Sequence, residues 1–133
     1  MSNSLKKLLT EFKYLEQNSA NVKNESIFLA YPGESNDGRN YIAEAINNGA
    51  GAVIYDPLGF EWNKQWKLPN LPIKDLKANI SSIASEFYDN PSNKINLIGI
   101  TGTNGKTSSA FWVTQCLENL KRKASMISTI GYG

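Results

Sequence analysis

The chain contains no histidine and one cysteine, Cys116. Without imidazole, His-ligated metal sites and Ser-His-Asp or Cys-His chemistry are excluded within these 133 residues. A metal ion here must be held by oxygen ligands. A lone cysteine rules out an intramolecular disulfide and fits a reducing, cytoplasmic setting. No apolar run approaches the roughly 18 residues of a membrane span. Residues 1–17 lack a signal-peptide core, because Lys6, Lys7, Glu11 and Lys13 interrupt it. Excess charge of one sign is also missing: 14 basic side chains face 12 acidic ones. A net charge of +2 is too small to point to nucleic acid, which calls for a concentrated basic face. Neither a nucleic-acid partner nor membrane insertion is therefore expected. Nothing in the sequence marks an oligomeric state.

What is present reads as an α/β chain. The 41% of hydrophobic residues suffices for a core. Leu5, Leu8, Leu9, Phe12 and Leu15 follow helical spacing, which predicts an amphipathic helix capped by Ser2, Asn3 or Ser4. Ile27-Phe28-Leu29-Ala30-Tyr31, closed by Pro32-Gly33, predicts a buried strand. Asp37-Gly38 marks a turn. Tyr41, Ile42, Ala45 and Ile46 predict a helix ending at Gly49, and Ala52-Val53-Ile54-Tyr55 a second strand. Strand, helix and strand over some thirty residues form a βαβ unit with parallel pairing. Residues 56–72 read as irregular, with Trp62 and Trp66 assigned to the core. Leu76, Ile80, Ile83, Ala84 and Phe87 predict a further helix, stopped before Pro91.

A domain boundary is expected there, giving domains 1–92 and 93–133. Ile95 to Thr101 is strongly β-prone, and Gly102-Thr103-Asn104-Gly105-Lys106-Thr107 follows. From Ser108 to Leu120 the pattern is helical, with Ala110, Val113, Leu117 and Leu120 on one face. Residues 124–129 predict another strand. Cys116 is expected to be a buried, inert thiol, Trp112 a core residue, and Lys121-Arg122-Lys123 a solvated helix end.

Strand, glycine-rich loop, Lys-Thr and helix is an arrangement suited to phosphate. Glycines let backbone N–H groups approach the oxygens closely, and the helix turns its positive end to the anion. Lys106 would reach the β- and γ-phosphates, and the Thr107 hydroxyl would ligate Mg²⁺. The generic pattern asks for a glycine where Ile100 stands.

Thr101 to Thr107 resembles the phosphate loop of the Mur ligase family, Thr-Gly-Thr-x-Gly-Lys-Thr, which accounts for that missing glycine. Ile27 to Ala30, Pro32-Gly33, Asp37-Gly38-Arg39, Tyr41-Ile42, Ala45-Ile46 and Gly49-Ala50 resemble the uridine-nucleotide domain of members that add the third or a later peptide residue. The Asn104 form of the loop and the distal stretch from Ser128 through Thr129, Ile130, Gly131 and Tyr132 to Gly133 favour the third-residue group.

The resemblance implies a small N-terminal α/β domain for the UDP substrate. The opening β-P-loop-α-β of a truncated parallel-sheet ATPase domain would follow. It implies an ATP- and Mg²⁺-dependent ligase of peptidoglycan synthesis. ATP phosphorylates the carboxylate of UDP-N-acetylmuramoyl-L-alanyl-D-glutamate. A diamino acid's amine then attacks the acyl phosphate, forming the amide as ADP and phosphate depart. Gly102, Thr103, Asn104, Gly105, Lys106, Thr107 and Ser108 would hold ATP, with Lys106 catalytic and Thr107 on the metal. Gln17 and Ser19, with Glu34, Ser35 and Asn36, would form two loops around the uridine diphosphate. The sequence departs from its relatives at Asn18-Ser19-Ala20, where they read Asp-Ser-Arg; alanine cannot replace a forked cationic donor. The alternative is a non-catalytic nucleotide-binding fragment or regulatory relative. A small-molecule kinase and a folylpolyglutamate-type ligase rank lower, because the N-terminal resemblance opposes both.

Overall fold

The computed structural model describes residues 3–129 and 131–132. The chain divides into two units, Met1–Lys94 and Ile95–Gly133. Ser2, one of the expected caps, and Ile130 and Gly133 of the distal stretch lie outside the described residues.

In the first unit, two apolar runs lie at the centre of a sheet covered on both faces. The strands are β1 (Tyr14–Glu16), β2 (Ser26–Ala30), β3 (Ala50–Tyr55) and β4 (Asn70–Pro72). They pair in parallel in the order β1-β2-β3-β4. Strands buried on both faces read as continuous apolar runs, and every residue of β2 is buried. Alternation then sends neighbouring side chains to opposite faces. Ile27, Leu29, Ala52 and Ile54 pack with Leu5, Leu8 and Leu9 of α1 (Asn3–Glu11) and with Leu76 and Ile83 of α3 (Leu76–Phe87). On the other face Phe28, Ala30, Val53 and Tyr55 meet Ile42 and Ala45 of α2 (Ile42–Asn47). Trp62 and Trp66 also pack on this face, as expected. Trp62 stacks on Tyr55 at 5.0 Å and meets Trp66 edge-on at 5.1 Å.

Two elements differ from expectation. The first helix stops at Glu11, and Leu15 belongs to β1, opposite Ile27. The helical spacing runs on through a residue that is apolar for a different reason, namely pairing on the sheet. Within the supposedly irregular stretch, β4 adds an edge strand that ends at Pro72. Proline is tolerated there because an edge leaves its missing N–H without consequence.

The second unit contains α4 (Lys106–Asn119) and a short antiparallel hairpin, β5 (Ile127–Ser128) with β6 (Gly131–Tyr132). The strand expected over 95–101 forms no ladder among the described residues, and Ile95, Leu97 and Ile98 are exposed. A β-prone run becomes a strand only beside a partner. Among the described residues the β-P-loop-α-β order is thus a segment without strand pairing, a loop, a helix and an antiparallel hairpin. No described side chain of α4 is buried. Of its expected apolar face, Ala110 and Leu117 are half-buried, whereas Val113 and Leu120 are exposed. Trp112 and Cys116, both expected inside, are exposed as well, because this unit presents no core to receive them.

Candidate functional site

Parallel strands deliver their following loops to one edge of the sheet, where α/β folds form binding crevices. Here the loop after β1 supplies Gln17, Asn18 and Ser19 to a cavity of about 400 Å³. The segment after β2 supplies Tyr31, Gly33, Asn36, Gly38 and Tyr41, and Leu29 of β2 completes the lining. Of the residues expected to contact a uridine nucleotide, Gln17, Ser19 and Asn36 share this cavity. Glu34 and Ser35 do not line it. The Glu34 side chain is 89% exposed and pairs with Lys77 at 3.3 Å.

Local hydrogen bonds set the two loops. The Tyr31 hydroxyl donates to Gln17 Oε1 at 2.8 Å and links one loop to the other. Asn18 Oδ1 accepts the Ala20 N–H at 3.0 Å and caps the 3-10 turn Ser19–Asn21. Asn48 donates to the carbonyl of the buried Ser19 at 2.9 Å. In the second segment the Gly33 N–H donates to the Asn36 carbonyl at 2.8 Å. A Cβ on Gly33 would stand 2.7 Å from that oxygen, so the wall closes this tightly only with glycine. The Gly38 N–H donates to the Tyr31 carbonyl at 2.9 Å.

Among the described residues, no charged side chain lines the cavity. The nearest cation in sequence, Arg39, is engaged elsewhere. Its Nε donates to Asp37 Oδ1 at 2.9 Å and its Nη2 to Asp37 Oδ2 at 2.7 Å. Its Nη1 donates to the carbonyls of Asp56, at 3.2 Å, and Leu58, at 2.6 Å. The hydrogen bond from Arg39 holds the Asp37 carboxyl below its ordinary value, and Asp37 in turn raises Arg39.

The second cluster, in the other unit, is the loop before α4. Gly105, at φ 75°, sits at the N-cap of α4, a left-handed conformation that favours glycine. Lys106 folds back over the loop, and its Nζ donates to the carbonyls of Gly102 at 2.5 Å and Thr103 at 3.4 Å. Thr107 Oγ1 lies 3.3 Å from Thr129 Oγ1. Gly102, Thr103, Asn104, Lys106 and Ser108 are exposed and Thr107 is half-buried. The first-turn amides of a helix have no intrahelical acceptor, so α4 offers its N-terminal donors to an anion. Thr107 supplies one hard oxygen donor. The described residues contain no cluster of three acidic or thiol groups able to hold a metal ion. This donor set suits Mg²⁺ only as the ion usually binds nucleotide, with few protein ligands and the phosphates providing the rest.

Sequence reasoning missed Asn18, Leu29, Tyr31, Gly33, Gly38 and Tyr41 as cavity residues. Gly33 and Gly38 were visible as turn punctuation, but their role depends on which loop faces which, and that is a tertiary fact.

Comparison with known proteins defines the class. A model of the Mur ligase family, catalytic domain, matches residues 11–88. The chain belongs to the Mur ligase family. It is 41% identical over 129 residues to the UDP-N-acetylmuramoyl-L-alanyl-D-glutamate–2,6-diaminopimelate ligase of Nitrosomonas europaea, covering 97% of this chain and 25% of that protein. A solved diaminopimelate ligase with the same full name superposes with TM-score 0.67 at 21% identity, covering 92% of this chain and 24% of that one. A MurF ligase from Thermotoga maritima in complex with ADP gives 0.62 at 23%, covering 90% and 25%. At those identities the structural likeness is one of fold. The chain spans about a quarter of the length of these relatives. No helix among the described residues is long and apolar enough to cross a membrane.

Proposed function

We propose that this chain carries the substrate-nucleotide pocket and the ATP phosphate loop of a ligase that joins a diamino acid to UDP-N-acetylmuramoyl-L-alanyl-D-glutamate. By analogy with the relatives' names, the diamino acid is 2,6-diaminopimelate. Residues 1–92 form the UDP-substrate domain and 93–133 begin the ATP domain. The observation that carries the reading is the meeting of Gln17, Ser19 and Asn36 around one cavity, on loops far apart in sequence. The order of that cavity and the Gly-Lys-Thr loop along a chain of this family supports it further.

The residues divide the work. Gln17, Ser19 and Asn36, with Tyr31 and Tyr41, surround the uridine end by neutral hydrogen bonding and ring contact. Backbone amides from Gly102 to Ser108 and the Lys106 ammonium neutralise the ATP phosphates, with Lys106 exchanging its loop carbonyls for phosphate oxygens. The Thr107 hydroxyl would hold Mg²⁺, which supplies further neutralisation of phosphate charge when bound. In the whole ligase, transfer of the γ-phosphoryl group to the substrate carboxylate gives an acyl phosphate and ADP. Attack by the amine then forms the amide and releases phosphate. The 133 residues alone are not expected to turn over substrate, since they span a quarter of the relatives.

Calorimetric titration of UDP into the chain tests the pocket. Saturable binding is expected, weakened at least about tenfold in Gln17→Ala and Asn36→Ala by loss of a donor-acceptor group from the lining. Glu34→Ala should bind as the parent does. Folded pocket variants that bind UDP unchanged would refute the assignment.

A further inference from the structure

Arg39 lies beside the cavity without lining it. Its side chain is only 10% exposed, and the Phe60 ring lies 5.4 Å from the guanidinium carbon. The guanidinium ties its own turn, at Asp37, to the loop that follows β3, through the carbonyls of Asp56 and Leu58. Gly38 and Tyr41 line the cavity, and the Gly38 N–H holds the Tyr31 carbonyl. Asp37 also bridges back to Pro32, at the start of the segment that carries Gly33 and Asn36.

We propose that Arg39 is the positioning residue of the nucleotide pocket: it sets the wall formed by Tyr31, Gly33, Gly38 and Tyr41 and touches no ligand phosphate. This inference rests on the uridine-nucleotide reading of the cavity. Its charge is committed to the Asp37 carboxylate and its Nη1 donors to two carbonyls, so it acts through the wall. A lysine cannot reproduce it, because one ammonium cannot span a carboxylate and two carbonyls in a planar fork.

The consequence is specific. A residue that binds phosphate affects UDP more than uridine. A residue that sets the wall weakens both by the same factor. The test uses Arg39→Lys and the milder Asp37→Asn, and has two parts. The first is amide hydrogen exchange without ligand. Exchange at Gly33 and Gly38 should accelerate at least about tenfold while Leu29 and Val53, in β2 and β3, keep their protection. The second is titration with uridine and with UDP, where both affinities should fall by a common factor of about ten or more in Arg39→Lys. Unchanged exchange at Gly33 and Gly38 overturns the proposal. So does a loss confined to UDP, which would make Arg39 a phosphate ligand. Loss of protection across β2 and β3 in both variants would make Arg39 a fold-holding residue and also overturn it. If the parent chain binds neither nucleotide, the ligand reading fails, while the exchange measurement still decides whether Arg39 sets the wall.

Discussion

Replacing Asp56 by alanine should be among the most costly single changes in the first unit. Asp56 follows β3 and is 7% exposed. Its Oδ1 accepts the Leu58 N–H at 3.0 Å, and its Oδ2 accepts the Leu76 N–H at 3.0 Å. Leu76 opens α3, so the carboxylate serves as a cap supplied from the end of β3, twenty residues earlier. Asp75, in the N-cap position, makes no side-chain cap bond. Asp56→Ala strips one buried amide, at Leu76, and one part-buried amide, at Leu58, of a charged acceptor. Hydrogen bonds to charged groups contribute about 1.5–3 kcal/mol each, so the loss comes to roughly 3–6 kcal/mol, nearer the lower end because one of the two is part-exposed. Domains of this size have a total stability of about 5–14 kcal/mol. At about 2 kcal/mol per molar urea, the midpoint should fall by roughly 2 M. Asp56→Asn keeps one carboxamide oxygen but turns an NH2 group toward the second donor, and should lose about half as much. The assay is urea unfolding followed by fluorescence of Trp62 and Trp66, in a Trp112→Phe background because Trp112 is 64% exposed in the other unit. A loss below about 1 kcal/mol in Asp56→Ala, or an Asp56→Asn protein as stable as the parent, would refute the capping argument.

Asp37 predicts an acid limb. Its folded-state pKa lies below the ordinary 3.8, so its contribution is complete above that value and disappears as pH falls through the lowered one. Urea midpoints between pH 2 and 5 should fall less steeply in Asp37→Asn than in the parent, and parallel slopes would contradict the pairing. Gly33→Ala should lower UDP affinity at least about tenfold, because its Cβ would stand 2.7 Å from the Asn36 carbonyl; titration against the parent decides. Cys116 is a free, exposed thiol and should react with a disulfide reagent under native conditions at about the rate of the urea-unfolded chain. A need for denaturant would show that the second unit covers it. In the full-length ligase, Lys106→Ala should abolish turnover and weaken ATP binding far more than binding of the uridine substrate. Steady-state kinetics with unchanged turnover would remove Lys106 from the phosphate site.

Legibility in the sequence follows burial. The run from Ile27 to Ala30 and the run from Ala52 to Tyr55 announce a parallel pair because both faces of each strand are covered, which leaves no polar alternation to misread. Gly49, at φ 103°, marks the end of α2 for a purely local reason. Where an apolar residue serves a neighbouring element, or where burial is missing, the pattern misleads. Leu15 continues a helical spacing but pairs with Ile27. The residues from Ile95 to Thr101 have β propensity but no pairing neighbour among the described residues, and Trp112 and Cys116 have apolar character but are exposed. The candidate site was half legible. A motif finds Gln17, Ser19 and Asn36, but loop geometry decides that Asn36 lines the cavity whereas Glu34, two residues away, points its carboxylate to Lys77.

The departure at Asn18-Ser19-Ala20 is best weighed by what each position does in the fold. Asn18 keeps the capping role, since its Oδ1 holds the Ala20 N–H, and asparagine and aspartate are equally good at that task. The loop is therefore built on Asn18 in place of the aspartate that the family resemblance leads one to expect. Ala20 lies exposed on the 3-10 turn and takes part through its backbone. Exchanging arginine for alanine there removes a charge and leaves the hydrogen bonds that shape the loop. With Arg39 committed to Asp37, Asp56 and Leu58, the cavity is lined by neutral groups alone. In the proposed reading, discrimination inside it comes from the carboxamides of Gln17, Asn18 and Asn36, the Ser19 side chain and the two tyrosines. These are groups that recognise carbonyls, hydroxyls and a ring, as a nucleoside presents them.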